Sequence, residues 1–176
     1  MKGLKNKYLM TKLMLAIITL SGLVVFAANN PTVSRALNFA RPDVKVHISA
    51  SVQRDEKTVS LDKAETVKAG EVLDWNISSA NEGVGDAQNY RVVGQVSKGT
   101  TFIAGSANGE EAPQITYSID GGKTFSAQPL IDEKQPDGSI KKVAAPVSMY
   151  TQVKFEWTKP LISQAKFNAA YRVRVN

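Results

Sequence analysis

Apolar and polar residues alternate along most of this chain. In DVKVHISASVQ, Val44, Val46, Ile48, Ala50 and Val52 share one parity, and Lys45, His47, Ser49, Ser51 and Gln53 share the other. A period of two predicts a strand with one buried and one wet face. The rhythm returns where Leu73, Trp75 and Ile77 alternate with Asp74, Asn76 and Ser78, and again at Tyr90, Val92 and Val96. A short strand is expected over 101–104. QITYSI and KTFSAQPLI flank Asp120-Gly121-Gly122, and VSMYTQVKFEW and AKFNAAYRVRV close the chain as two longer strands. Gly70, NEGVGD and SKGTT break these runs as turns, and DEKQPDGSIKKVAAP reads as a polar loop. No segment after residue 27 sustains a 3.6-residue period, and no internal repeat is present. About seven to nine short strands separated by turn signals predict an all-β fold, an Ig-like antiparallel β-sandwich.

The N-terminus departs from this pattern. Lys2, Lys5, Lys7 and Lys12 precede the apolar run of residues 13–26, and small residues, Val25 and Ala27, stand at −3 and −1 of a cleavage point. That order predicts a secretory signal peptide over residues 1–27, the rival reading being an uncleaved anchor. The run is short beside the roughly 20 residues of a bilayer span. Residues 28–42 contain Asn-Asn-Pro and few periodic apolar positions, which predicts a flexible arm or linker, with Arg41-Pro42 biased to extended backbone. Residues 43–176 then form the sandwich domain. The expected location is secreted, periplasmic or cell-surface.

Removing the signal changes the charge picture. Its four lysines take the formal net charge from +6 to +2. No dense basic patch remains, which argues against nucleic-acid binding. The chain has no cysteine, so an exported fold must be stabilised by its core without disulfides, and 43% hydrophobic residues make such a core possible. Thiol catalysis and cysteine-based zinc sites are excluded.

Ser118, Asp120, Gly122, Thr124 and Phe125 fall on the S-x-D-x-G-x-T-[W/F] spacing known as the Asp-box from sialidase-type propellers. A propeller needs several blades, and one copy in a chain of this length cannot build one. Turn chemistry accounts for the motif instead. Asp120 can accept backbone N–H bonds, Gly121 and Gly122 allow positive φ, Thr124 and Ser118 can tie the neck, and Phe125 can bury beneath it.

From Val67 onward the order of features resembles a family. Gly70, Glu71, Val72 and Trp75 open it, followed by the turn at Asn81, Glu82 and Gly83. Then come the strand region 87–96, SKGTTF, the Tyr117–Phe125 stretch, Trp157, Leu161 and the alternating 167–175 strand. The chain thereby resembles the bacterial and archaeal conserved-repeat Ig-like domain of surface proteins, a domain of unknown function (number eleven). Lys98 and Ser163-Gln164-Ala165 depart from the family pattern, and residues 42–66 precede the matched part. The resemblance implies an exported, non-enzymatic β-sandwich of cell-surface or extracellular structures.

Other candidates weigh toward structure. Asp120, Asp132, Glu133 and Asp137 are possible calcium ligands, but they lack the converging spacing calcium needs. His47 is the only histidine and lies on a polar strand face, with no Gly-x-Ser-x-Gly turn to supply a nucleophile. Trp75 and Trp157 could stack on sugars, yet their apolar alternation predicts core aromatics. No cofactor and no enzyme activity are expected. The leading expectation is a structural or interaction module that binds protein partners or itself through sheet edges, without a membrane span once the signal is removed. A filament subunit joined by strand addition and a carbohydrate-binding module for cell-surface glycans are the alternatives.

Overall fold

The computed structural model describes residues 41–176 apart from Glu56 and Glu65, and its compact unit is Pro42–Asn176. The signal segment and the arm up to residue 40 lie outside the described residues. Eleven antiparallel strands form: β1 (Val44–Arg54), β2 (Lys57–Ser60), β3 (Val72–Asn81), β4 (Arg91–Gln95), β5 (Thr100–Phe102), β6 (Asn108–Gly109), β7 (Gln114–Ser118), β8 (Leu130–Lys134), β9 (Ile140–Ala144), β10 (Gln152–Glu156) and β11 (Lys166–Val175). One sheet runs β2-β1-β3-β11-β5, with β6 also on β11. A second runs β4-β10-β7, and β8-β9 is a separate hairpin.

The fold is an all-β sandwich. The first sheet contributes Val52, Leu73, Ile77, Phe102, Phe167, Ala169, Tyr171 and Val173 to the core. The second contributes Val153 and Phe155, with Trp157 just beyond β10. These are the alternate positions of their strands, as a half-buried sheet requires. Tyr171 reaches across to β4, where its hydroxyl donates to the Gln95 carbonyl at 2.7 Å. A Cβ at Gly94 would collide with the Tyr171 ring, lying 2.8 Å from Cζ, so glycine is what lets the two sheets close there.

Eleven strands exceed the seven to nine expected, for identifiable reasons. DEKQPDGSIKKVAAP is not a loop: it supplies the β8–β9 hairpin. Pro136, Asp137 and Gly138 make a turn in which Gly138 N–H donates to Gln135 O at 2.9 Å. Asp137 Oδ1 accepts from Ser139 N–H, and Gly138 sits at φ 84°. That is the Pro-Asp-Gly turn chemistry. In contrast, KTFSAQPLI does not return as a full strand. Only Tyr117 and Ser126 bridge, and Leu130 onward pairs with β9 instead. The expected 147–157 strand is shortened by a 3₁₀ turn at Val147–Met149.

A clamp closes one end of the sandwich. Arg54 at the end of β1 holds Glu71 in a two-pronged pair, Nε to Oε1 at 2.7 Å and Nη2 to Oε2 at 2.9 Å. The same guanidinium donates to Thr66 O, and Lys68 N–H donates to Glu71. The Arg54 bond and the Lys68 amide hold the Glu71 carboxyl down at about 2, from an ordinary 4.5. A depressed folded pKa gives stability that is present above the unfolded value and lost as pH falls through the folded one. The melting temperature is therefore expected to fall between pH 4.5 and about 2. Glu71→Gln should flatten that slope while lowering the melting temperature at neutral pH; parallel curves would rule the clamp out as its source.

Candidate functional site

The Asp-box turn is a closed hydrogen-bond knot. Ser118 Oγ donates to Asp120 Oδ1 at 2.7 Å and accepts from Gly122 N–H at 2.8 Å. Asp120 Oδ1 accepts the N–H groups of Lys123 and Thr124, both at 3.0 Å, and Oδ2 accepts Thr124 Oγ1–H at 2.6 Å. These bonds, the Thr124 hydroxyl first, hold the Asp120 carboxyl below the usual carboxylate range. Gly121 and Gly122 have φ of 75° and 91°, and a Cβ at Gly122 would strike the Gln152 side chain. Gly121 N–H donates to Thr151 Oγ1 at 3.2 Å, which joins the turn to the β10 approach. The Ser118 hydroxyl, the Asp120 carboxylate and the Thr124 hydroxyl all bond within the turn. Phe125 does not enter the core: it is half-buried, with the Lys154 ammonium 5.2 Å from its ring centroid.

The two tryptophans part company. Trp157 is buried among Tyr90, Phe155 and Phe167. Trp75 is half-buried and stacks on Tyr171, with centroids 6.3 Å apart and planes at 8°. His47 is exposed on β1 opposite Ser78. Asp132 pairs with Lys142 at 2.9 Å across the β8–β9 hairpin. Among the described residues no three His, Cys, Asp or Glu side chains come together as a metal site. One concavity near Phe167 carries the Lys159–Glu111 pair, and another is lined by Asp74, Asn76, Ser106 and Arg172. In the latter Ser106 Oγ is already bonded to Ile103 O and Arg172 N–H.

The distinctive surface is an open flank that the sequence pattern did not show. Ala50 and Val52 on β1 are buried, at 8% and 1% exposure, but Val46 and Ile48 of the same parity are 47% and 50% exposed. The expected buried face of β1 is thus buried in its second half and packs in part on the core at Val44, but is open at Val46 and Ile48. Sheet widths explain the difference. Phe102 on β5 packs against Tyr117 on β7, and Tyr171 on β11 reaches β4. The first sheet therefore overhangs β4, the last strand of the second sheet, by the inner face of β1. Val59 and Leu61, from β2 and the 3₁₀ turn after it, pack on the core beside Val52. Among the described residues nothing equivalent covers Val46 and Ile48.

Backbone edges are open on the same flank. Among the described residues β2 pairs only with Ser51–Arg54, and none of them forms a strand on the outer edge of β1 from Val44 to Ala50. β4 pairs, among the described residues, only with β10. Trp157 N–H donates to Tyr90 O, so by alternation the N–H and C=O groups of Arg91 and Val93 turn away from β10 to the open side. Ser79, paired with Val46, is 1% exposed, and its hydroxyl lies near that of Tyr90, with neither bonded to any other described residue. Burial raises the Tyr90 pKa, and the nearby Ser79 hydroxyl offsets part of that rise.

Among the described residues no helix is long and apolar enough to cross a membrane. Comparison of the chain with protein-family models, curated proteins and solved structures gives no match.

Proposed function

We infer that this chain is a non-enzymatic structural or interaction module, exported to the cell surface, that works by taking an added strand on its open flank. One observation carries the reading: half-exposed Val46 and Ile48 lie on an inward-facing parity beside the unpaired edge of β4. An extended peptide with apolar side chains at alternate positions would supply the missing ladder and cover both residues, as strand addition does. The N-terminal signal pattern and the resemblance to surface domains support the compartment. A glycan-binding role ranks second, since it needs exposed, coplanar aromatic rings and, among the described residues, none of the exposed large apolar side chains is aromatic.

Hydrogen exchange tests the reading. In the assembled, secreted protein the amides of Arg91 and Val93 should exchange at least tenfold more slowly than in protein dispersed by dilution. Val46→Glu with Ile48→Glu should abolish that protection while leaving the melting temperature of the dispersed protein nearly unchanged, because both side chains are half-exposed there. Equal exchange in the assembled and dispersed states would overturn it.

A further inference from the structure

We propose that the strand taken up by the flank is residues 32–40 of a second copy of this chain, so that copies join head to tail. This rests on the flank being an acceptor and names its partner.

The sequence of the segment matches the chemistry of the gap. Val33, Leu37 and Phe39 share one parity with Arg35, and Thr32, Ser34, Ala36, Asn38 and Ala40 share the other. An extended chain of this pattern presents Val33, Leu37 and Phe39 on one face together with Arg35, whose apolar stem can line the gap while its guanidinium reaches water, and only small or polar groups on the opposite face. The gap asks for that: an inward face to cover Val46 and Ile48 and an outward face that meets water. β4 exposes an edge of five residues, Arg91–Gln95, and at about 3.4 Å per residue nine residues run longer than that edge. Ser139, Ile140 and the rest of the β8–β9 hairpin offer no comparable acceptor, because both of its strands lie outside the two packed sheets.

Connectivity favours a second copy over the chain's own arm. β1 begins at Val44, and Asp43 is fixed there: its N–H donates to Asn81 Oδ1 at 3.1 Å and its carbonyl accepts from Glu82 N–H at 2.8 Å. To dock in cis, the chain would have to reverse and cross the roughly 10 Å between sheets within Arg41, Pro42 and Asp43. Pro42 fixes its own φ and holds Arg41 to extended backbone, which opposes a reversal there. The same residues of another copy carry no such constraint. Each copy then has one donor segment and one acceptor flank, and a heterologous contact of that kind propagates as a filament unless its rotation closes a ring.

Two full-length secreted variants test this. Leu37→Arg with Phe39→Arg should spoil the donor and leave the acceptor, and Val46→Arg with Ile48→Arg should do the reverse. Circular dichroism first checks that both variants are folded and melt as the dispersed wild type does. In sizing measurements the wild type should run as long assemblies and each variant alone as a monomer. Their equimolar mixture should double in mass and grow no further. A synthetic peptide of residues 31–41 should bind the donor variant, which keeps the test sound if the acceptor variant misfolds. Monodisperse wild-type monomers at high concentration overturn the proposal, as does a donor variant that still assembles. In the second case another segment fills the flank and the acceptor reading stands. An acceptor variant that assembles as the wild type does overturns the acceptor reading itself.

Discussion

Replacing Trp157 by alanine is expected to remove about 3–5 kcal/mol of stability, the range for deleting a large buried aromatic. Trp157 is 2% exposed and is the hub of the aromatic cluster: ring centroids lie 5.0 Å from Phe167, 5.6 Å from Tyr90 and 6.4 Å from Phe155. Its indole N–H donates to Glu110 O at 2.8 Å, and Glu110 N–H in turn donates to Asn168 O on β11. The side chain therefore joins β10, β11 and the loop after β6 at one point. Without a disulfide, little else compensates for a cavity there. Urea unfolding followed by far-ultraviolet circular dichroism should show the midpoint falling with an unchanged slope, since the surface exposed on unfolding stays similar. Trp157→Phe separates the two contributions, because it keeps most of the packing and loses the bond to Glu110, about 1 kcal/mol. Trp75→Ala should cost clearly less, because Trp75 is half-buried and its indole N–H has no partner to lose.

The contrast between the tryptophans shows how far the sequence could be read. Both stand in the same alternation, so periodicity assigned them the same role. Alternation reports which side of a strand a residue takes; it does not report what lies opposite. Trp157 packs on Phe167 of the facing sheet, whereas Trp75 stacks on Tyr171 of its own sheet. Val46 and Ile48 differ from Ala50 and Val52 for the same reason: overhang is set by sheet width, and width emerges from pairings between distant strands. Local turn chemistry was more legible. Asp120, Gly121, Gly122 and Thr124 form the knot their spacing predicted, because all its bonds lie within seven residues. Phe125 was misplaced because Lys154, which covers it, is distant in sequence. The β8–β9 hairpin was within reach, since Pro136-Asp137-Gly138 is a turn signal; the charged residues around it hid two strands that pack on neither sheet.

Asn81→Ala carries the second large expected effect, and it bears on the flank as well as on stability. Asn81 is 1% exposed and makes four hydrogen bonds. Its amide donates to Gly85 O at 2.7 Å and Leu161 O at 3.0 Å, and its Oδ1 accepts the N–H groups of Asp43 and Gly83, both at 3.1 Å. One side chain thus pins the start of β1, the turn after β3 and the chain beyond Trp157. Truncation leaves these groups without it, at about 1–3 kcal/mol for each that stays buried and unpaired, so a total of about 2–4 kcal/mol is expected. Amides from Val44 to Ile48 should then exchange faster, because one of the two bonds that hold Asp43 is gone and none of the described residues forms a strand on the outer edge of β1 there. A loss under about 0.5 kcal/mol, the scale of an ordinary surface change, would show that the bonds are replaced by water. Asn81→Asp makes the sharper test. Ionised, it sets a second carboxylate oxygen against the Gly85 and Leu161 carbonyls; protonated, it can donate to one of them. Burial and those carbonyls raise its folded pKa above the unfolded value, so its stability is greatest at low pH and is lost as pH rises through the folded pKa. The wild type, with Glu71 and Asp120 held down, loses stability in the opposite direction, as pH falls. Melting curves of the two proteins should therefore converge on acidification, and curves that stay parallel would mean that the amide donors of Asn81 do not hold the fold together.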